Sequence, residues 1–126
     1  MILNDFLQWL KTLDDMPQTE LGNLNANKDS YIALYPLKEK DVQAVGWTSS
    51  YNVLGVRIKI RYGKNYIVAE EKVLQIKEQL DKVRNTQMNK ATVCFVNTEQ
   101  PKYDGKDNKG VFEFTLNARI FFERSK

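Results

Sequence analysis

Arg57, Lys59 and Arg61 stand at alternate positions of the segment Val53 to Tyr62. In a strand, residues two apart share a face, so the three cations line up on one side. Cations spaced in this way can meet a phosphate backbone. They can equally pair across a sheet with Glu113 or Glu123 of the last predicted strand. A sheet that reads nucleic acid usually adds aromatic residues to the same face, and this face has none. Two other groups lie in long polar segments. Lys38, Lys40, Trp47 and Tyr51 fall within 38–52, and Lys102, Tyr103, Lys106 and Lys109 within 97–110. Lysine and aromatic residues on long loops suit inter-subunit or partner contacts, and they also suit an ordinary solvated surface.

Other chemistries have little to work with. The 126 residues contain no His and one Cys, Cys94. One thiol closes neither a zinc site nor an intramolecular disulfide, and nucleophilic triads that use His are excluded. Cys94 lies in the apolar run Val93-Cys94-Phe95-Val96 and reads as a reduced core residue of an intracellular protein. Asp14-Asp15 and Glu70-Glu71 are neighbours, and adjacent residues on a helix diverge by about 100°, so they do not converge as a catalytic pair. Glu70 and Glu71 are expected to serve the helix dipole, with Lys82 and Arg84 at its other end. No glycine-rich phosphate loop is present, and Asp104 to Asp107 lacks the pattern of a calcium loop. No catalytic residue, metal site or cofactor is assigned.

The elements that must carry these residues follow from periodicity. Ile2, Leu3, Phe6, Leu7, Leu10 and Leu13 mark one side of a helix, capped by Asn4 or Asp5 and stopped by Met16-Pro17. Trp9 borders that stripe, as core or as a partner contact. Tyr31 to Tyr35 is a short strand buried on both faces. Val53 to Tyr62 alternates without exception, with Leu54, Val56, Ile58, Ile60 and Tyr62 opposite the basic residues. Asn65 caps a second helix from Tyr66 to Arg84, with the stripe Ala69, Val73, Ile76, Leu80 and Val83. Ala91 to Val96 is a third strand, and Val111 to Glu123 a fourth, about 40 Å long at 3.3 Å per residue. A strand of that length must bend or run beyond the sheet. The fold class is therefore α+β, one domain over 1–126. A mostly antiparallel sheet carries two amphipathic helices packed on one face, in the order α-β-β-α-β-β.

Charged residues number 19 basic and 16 acidic, a net charge of +3. Residues 1–35 sum to −3 and residues 36–64 to +4, which gives the chain polarity without the strong basicity of a nucleic-acid binder. No apolar stretch approaches the roughly 20 residues of a membrane-spanning helix, and the N-terminus does not read as a secretory signal.

These elements carry a family resemblance over almost the whole chain. It runs from the Met16-Pro17 stop through Tyr31-Ile32-Ala33-Leu34-Tyr35 to Gly55-Val56-Arg57-Ile58-Lys59-Ile60-Arg61, followed by Tyr66 and Ala69. It ends on Gly110-Val111-Phe112-Glu113-Phe114. In this order the strings resemble the minor capsid proteins of the head-tail joining region of long-tailed phages and prophages of Gram-positive bacteria. Those proteins are tail terminators, or tail-to-head joining proteins. The resemblance implies a structural virion protein without enzymatic activity, made in the host cytoplasm and placed in the tail neck. It implies a homo-oligomeric ring, hexameric in the virion, that caps the tail tube protein, stops polymerisation and docks to the head-completion connector. DNA would pass through its channel without sequence specificity, and six copies at +3 each would surround it with +18. The face of Arg57, Lys59 and Arg61 would then line that channel. Another neck component, such as the head-completion stopper, shares most of these expectations. A small nucleic-acid-binding domain using the basic strand is the reading from a different class.

Overall fold

The computed structural model describes residues 2–22, 28–37 and 52–124. Helix α1 covers Leu3–Leu10 and strand β1 Gln18–Leu21. Strands β2 (Ser30–Pro36) and β3 (Asn52–Tyr62) precede helix α2 (Tyr66–Asp81). Strands β4 (Arg84–Met88), β5 (Ala91–Thr98), β6 (Lys102–Lys106) and β7 (Phe112–Arg124) complete the order. One sheet runs β1-β2-β3-β7-β5-β4, with β6 paired to β7 off that path. Among the described strands only β1 and β2 run parallel.

The predicted α+β arrangement, with order α-β-β-α-β-β, is overturned. The order is α-β-β-β-α-β-β-β-β, and seven strands curl into a half-barrel. The three strands absent from the prediction, β1, β4 and β6, have four or five residues each and are mostly polar. Such segments carry no alternating apolar signal, and pairing with a neighbour decides their conformation. Right-handed twist accumulated over six strands brings the two ends of the sheet toward each other. Helix α1 touches β1 and β2 at one end and β4 at the other, so it closes the gap between the sheet's ends. The Asn89 side-chain amide, in the β4–β5 turn, donates to Asp5 Oδ1 at 2.9 Å across that gap.

The core lies on the concave side. Ile32 and Leu34 of β2, Val56, Ile58 and Ile60 of β3, and Phe114, Leu116, Ala118 and Ile120 of β7 are all buried there. The registers Ile32↔Ile60↔Phe114 and Leu34↔Ile58↔Leu116 place them in rows across three strands. Helix α2 lays Ala69, Val73, Ile76 and Leu80 onto these rows, as its stripe predicts. Asn65 Oδ1 accepts from the Val68 amide at 3.3 Å and caps the helix. The helix ends at Asp81, before the predicted Arg84; its first turn holds no acidic residue and its last turn no basic one. Glu70 and Glu71 therefore sit too far in to serve the dipole in the expected way. Arg84 does reach back, donating to the Asp81 and Val83 carbonyls at 2.9 and 2.6 Å.

Helix α1 is also shorter than its apolar period. Its N-cap is Ile2, and Asp5 accepts from the Ile2 amide at 2.9 Å from inside the first turn. Trp9 is half-buried and stacks on Phe6 with centroids 5.9 Å apart. Strand β7 neither leaves the sheet nor goes unpaired. One edge meets β3 from Glu113 to Phe122, and the other meets β6 from Phe112 to Thr115 and β5 from Ala118 to Arg124. A bulge between Val93 and Phe95 turns Cys94 out of the row. Cys94 is consequently half-buried instead of part of the core.

Candidate functional site

On the convex face of β3 the three predicted cations have separate surroundings. Arg61 is 1% exposed. Its Nη1 meets Glu113 Oε2 at 2.6 Å across the sheet, its Nη2 meets Asp107 Oδ2 at 2.8 Å, and its Nε donates to the Lys28 carbonyl at 3.1 Å. Lys59 lies 3.8 Å from Asp104, which also accepts from the Thr115 hydroxyl. Arg57 is exposed. Two of the three positive charges thus face carboxylates of the chain itself, and Arg57 presents its guanidinium to the surroundings. Lys38, Lys40, Trp47 and Tyr51 lie outside the described residues.

The segment predicted as the second loop is a strand and a tight turn. Asp107 organises that turn, because its Oδ1 accepts from the Lys109 and Val111 amides at 2.9 and 3.0 Å. The Val111 amide first, then Arg61 and the Lys109 amide, hold the Asp107 carboxyl below its ordinary range. Gly105 at φ +111° supplies the bulge that lets β6 follow β7. Lys102, Lys106 and Lys109 are exposed around this corner. Tyr103 is exposed on its outer side and packs inward on Tyr66, Phe112 and Phe114 at centroid distances of 5.3 to 6.2 Å.

Beside Tyr103 begins a surface that the helical stripe did not reveal. Tyr66, Ile67, Val68 and Leu74 of α2 are large apolar side chains left exposed, Ile67 by 66%. Ile67 and Leu74 are seven residues apart and share a face, on the side opposite Ala69, Val73 and Ile76. The sequence signal existed: apolar residues at positions off the core stripe. Glu70, Glu71 and Glu78 are exposed on the same side of the helix. A groove of about 180 Å³ runs along one flank, lined by Tyr66, Glu70, Leu74, Pro101 and Tyr103. On the other flank a cleft of about 520 Å³ separates α2 from Met16 and Pro17. Lys72 forms its wall, buried to 7% exposure. Its ammonium donates to the Asp15 carbonyl and lies 5.7 Å from the Tyr62 ring centroid.

What this arrangement offers is contact area with a charge pattern. Among the described residues no three His, Cys, Asp or Glu side chains gather to hold a metal ion. No described helix is long and apolar enough to cross a membrane. Cys94 has a thiol pushed up by burial and, after that, by Glu123, which reduces its thiolate fraction. An exposed apolar crest rimmed by carboxylates, next to a corner bearing three lysines, is the composition of a protein-binding surface.

Comparison with known proteins agrees with that character. No curated protein and no solved structure matches the chain. The model of one family, described as bacteriophage tail terminator protein, matches residues 6–124, from the middle of α1 to the last residue of β7. That range takes in α2, the β6 corner and every residue of the ion-pair cluster. The chain belongs to the bacteriophage tail terminator family and is a structural protein of the phage tail.

Proposed function

We propose that the chain caps the tail tube as a closed ring, halts its growth and joins it to the connector on the filled head. The family match over residues 6–124 carries this reading. The surface supports it. A small chain that acts by assembly needs exposed apolar area, and here such area is concentrated at the start of α2 and on Tyr103. A ring arises when two different patches on each copy bind each other and the rotation closes. Six copies, as the sequence resemblance implies, would carry +18 around the axis. Of the predicted contact residues, Arg57 and the lysines of the β6 corner are exposed cations that can face DNA or neighbouring rings. Arg61 is committed to Glu113 and Asp107.

The test is deletion of the gene from a phage or prophage that carries it, followed by electron microscopy of the lysate. Tails of uncontrolled length, unattached to full heads, are expected, with normal joined tails restored by the chain supplied in trans. Tails of normal length fastened to filled heads in the deletion would refute the proposal. Normal-length tails that stay detached would point to a connector role instead.

A further inference from the structure

We propose that the outward crest of α2, with Tyr103 beside it, binds the basic 82–90 corner of a second copy of the chain, head to tail. The inference rests on the ring reading and names the subunit contact within it. The crest is apolar at Ile67 and Leu74, both exposed, and acidic at Glu70 and Glu71. Over its whole length α2 carries two lysines against four carboxylates, so it is −2 in a chain of +3, and the remainder is +5. A phosphate backbone is repelled by that crest, and a basic protein surface is attracted. Two copies meeting crest to crest would set two acidic faces together, which disfavours a symmetric dimer and favours a heterologous contact.

The complementary patch is at the other end of the same helix. Residues 82–90 hold Lys82, Arg84 and Lys90 and no acidic residue; Lys82 pairs with Glu78 at 2.9 Å and Arg84 donates to the Asp81 and Val83 carbonyls, so Lys90 is the cation turned outward. Lys90, Asn85 and Gln87 are exposed. Strand β4 pairs with β5 on one edge, and no described strand pairs with the other. The β6 corner is also basic, but Tyr103 holds it beside Tyr66 of the same copy, where its lysines flank the acidic crest instead of meeting it from a neighbour. Along α2 the corner at Lys82 lies about 22 Å from Ile67 and about 12 Å from Leu74. A contact that joins the start of one helix to the end of the next copy's is open at both ends of every pair. It continues until the circle closes.

The experiment uses the full chain and follows association by sedimentation velocity, together with ring occupancy at the ends of isolated tails. Ile67→Lys, Glu71→Lys and Lys90→Glu change exposed positions, and unchanged melting temperatures will show that each variant folds. Each single variant is expected to weaken association or tail-end occupancy roughly tenfold. The double variant Glu71→Lys with Lys90→Glu is expected to regain most of the loss, because the exchanged charges again face each other. Wild-type rings together with unaffected single variants would overturn this contact and leave the ring standing. Single variants that weaken without rescue in the double would overturn the pairing of these two patches. A wild-type chain that forms no ring, either free or on tails, would overturn both readings.

Discussion

Arg61 answers to more of the molecule than any other side chain on the convex face. It joins β3 to Glu113 of β7, to the turn at Asp107 and to the Lys28 carbonyl. Removing a cation that is 1% exposed leaves two carboxylates facing each other. Arg61→Met is therefore expected to cost about 3 kcal/mol, read from urea unfolding. The same cluster sets an acid limit. Asp107 and Asp5 both titrate below their ordinary range, Asp107 mainly through the Val111 amide and Asp5 mainly through the Ile2 amide. A depressed folded-state value stabilises above the unfolded value and is lost as pH falls through the folded one. The melting temperature is thus expected to be flat above about pH 5 and to drop below about pH 4, near the unfolded carboxylate range. In Arg61→Met the drop should be shallower, because one cause of the Asp107 depression has gone. An equally steep drop in the variant would mean that Arg61 does not hold Asp107 ionised.

Among the elements, α1 and α2 make different demands. Phe6 is fully buried between the sheet's two ends, and Phe6→Ala should cost about 3 to 5 kcal/mol. Asn65→Ala removes one capping acceptor from α2 and should cost about 1 kcal/mol. Lys72→Met is expected to raise stability by about 1 kcal/mol, because the buried ammonium has no carboxylate partner among the described residues and the Met stem fills similar volume. Thermal melts at neutral pH separate these three directions. The long elements were legible because their patterns are periodic: β3 alternates in residue type from Leu54 to Tyr62 and in burial from Val56 to Ile60, and α2 buries its residues at spacings of four, three and four. Strands β1, β4 and β6 were not, since Gln18–Leu21, Arg84–Met88 and Lys102–Lys106 owe their shape to a partner strand. Cys94 looked like core because it stands between apolar residues, and a one-residue bulge was enough to turn it outward. For the site, the alternating cations were visible, but the carboxylate that buries Arg61 from Asp107 depends on a turn 46 residues away. The crest of α2 was written in Ile67 and Leu74, yet a stripe-based reading looks at the opposite side.

For the molecule as a whole, sequence and family place its work in assembly, and the predictions at this scale are read on tails rather than on the isolated chain. High salt should weaken the crest-to-corner contact more than it weakens the fold, because exposed charges are screened and the apolar core is not. Occupancy of tail ends should therefore fall with ionic strength while the melting temperature holds; the reverse order would argue against a charged contact. Helix α1 adds a constraint of another kind. It precedes every strand of the sheet in the chain, and its seat is assembled from β1, β2 and, some 80 residues later, β4. The helix must wait for the sheet to curl before it can dock. Its contacts are then absent from the rate-limiting barrier, so Phe6→Ala should hasten unfolding while leaving the refolding rate almost untouched.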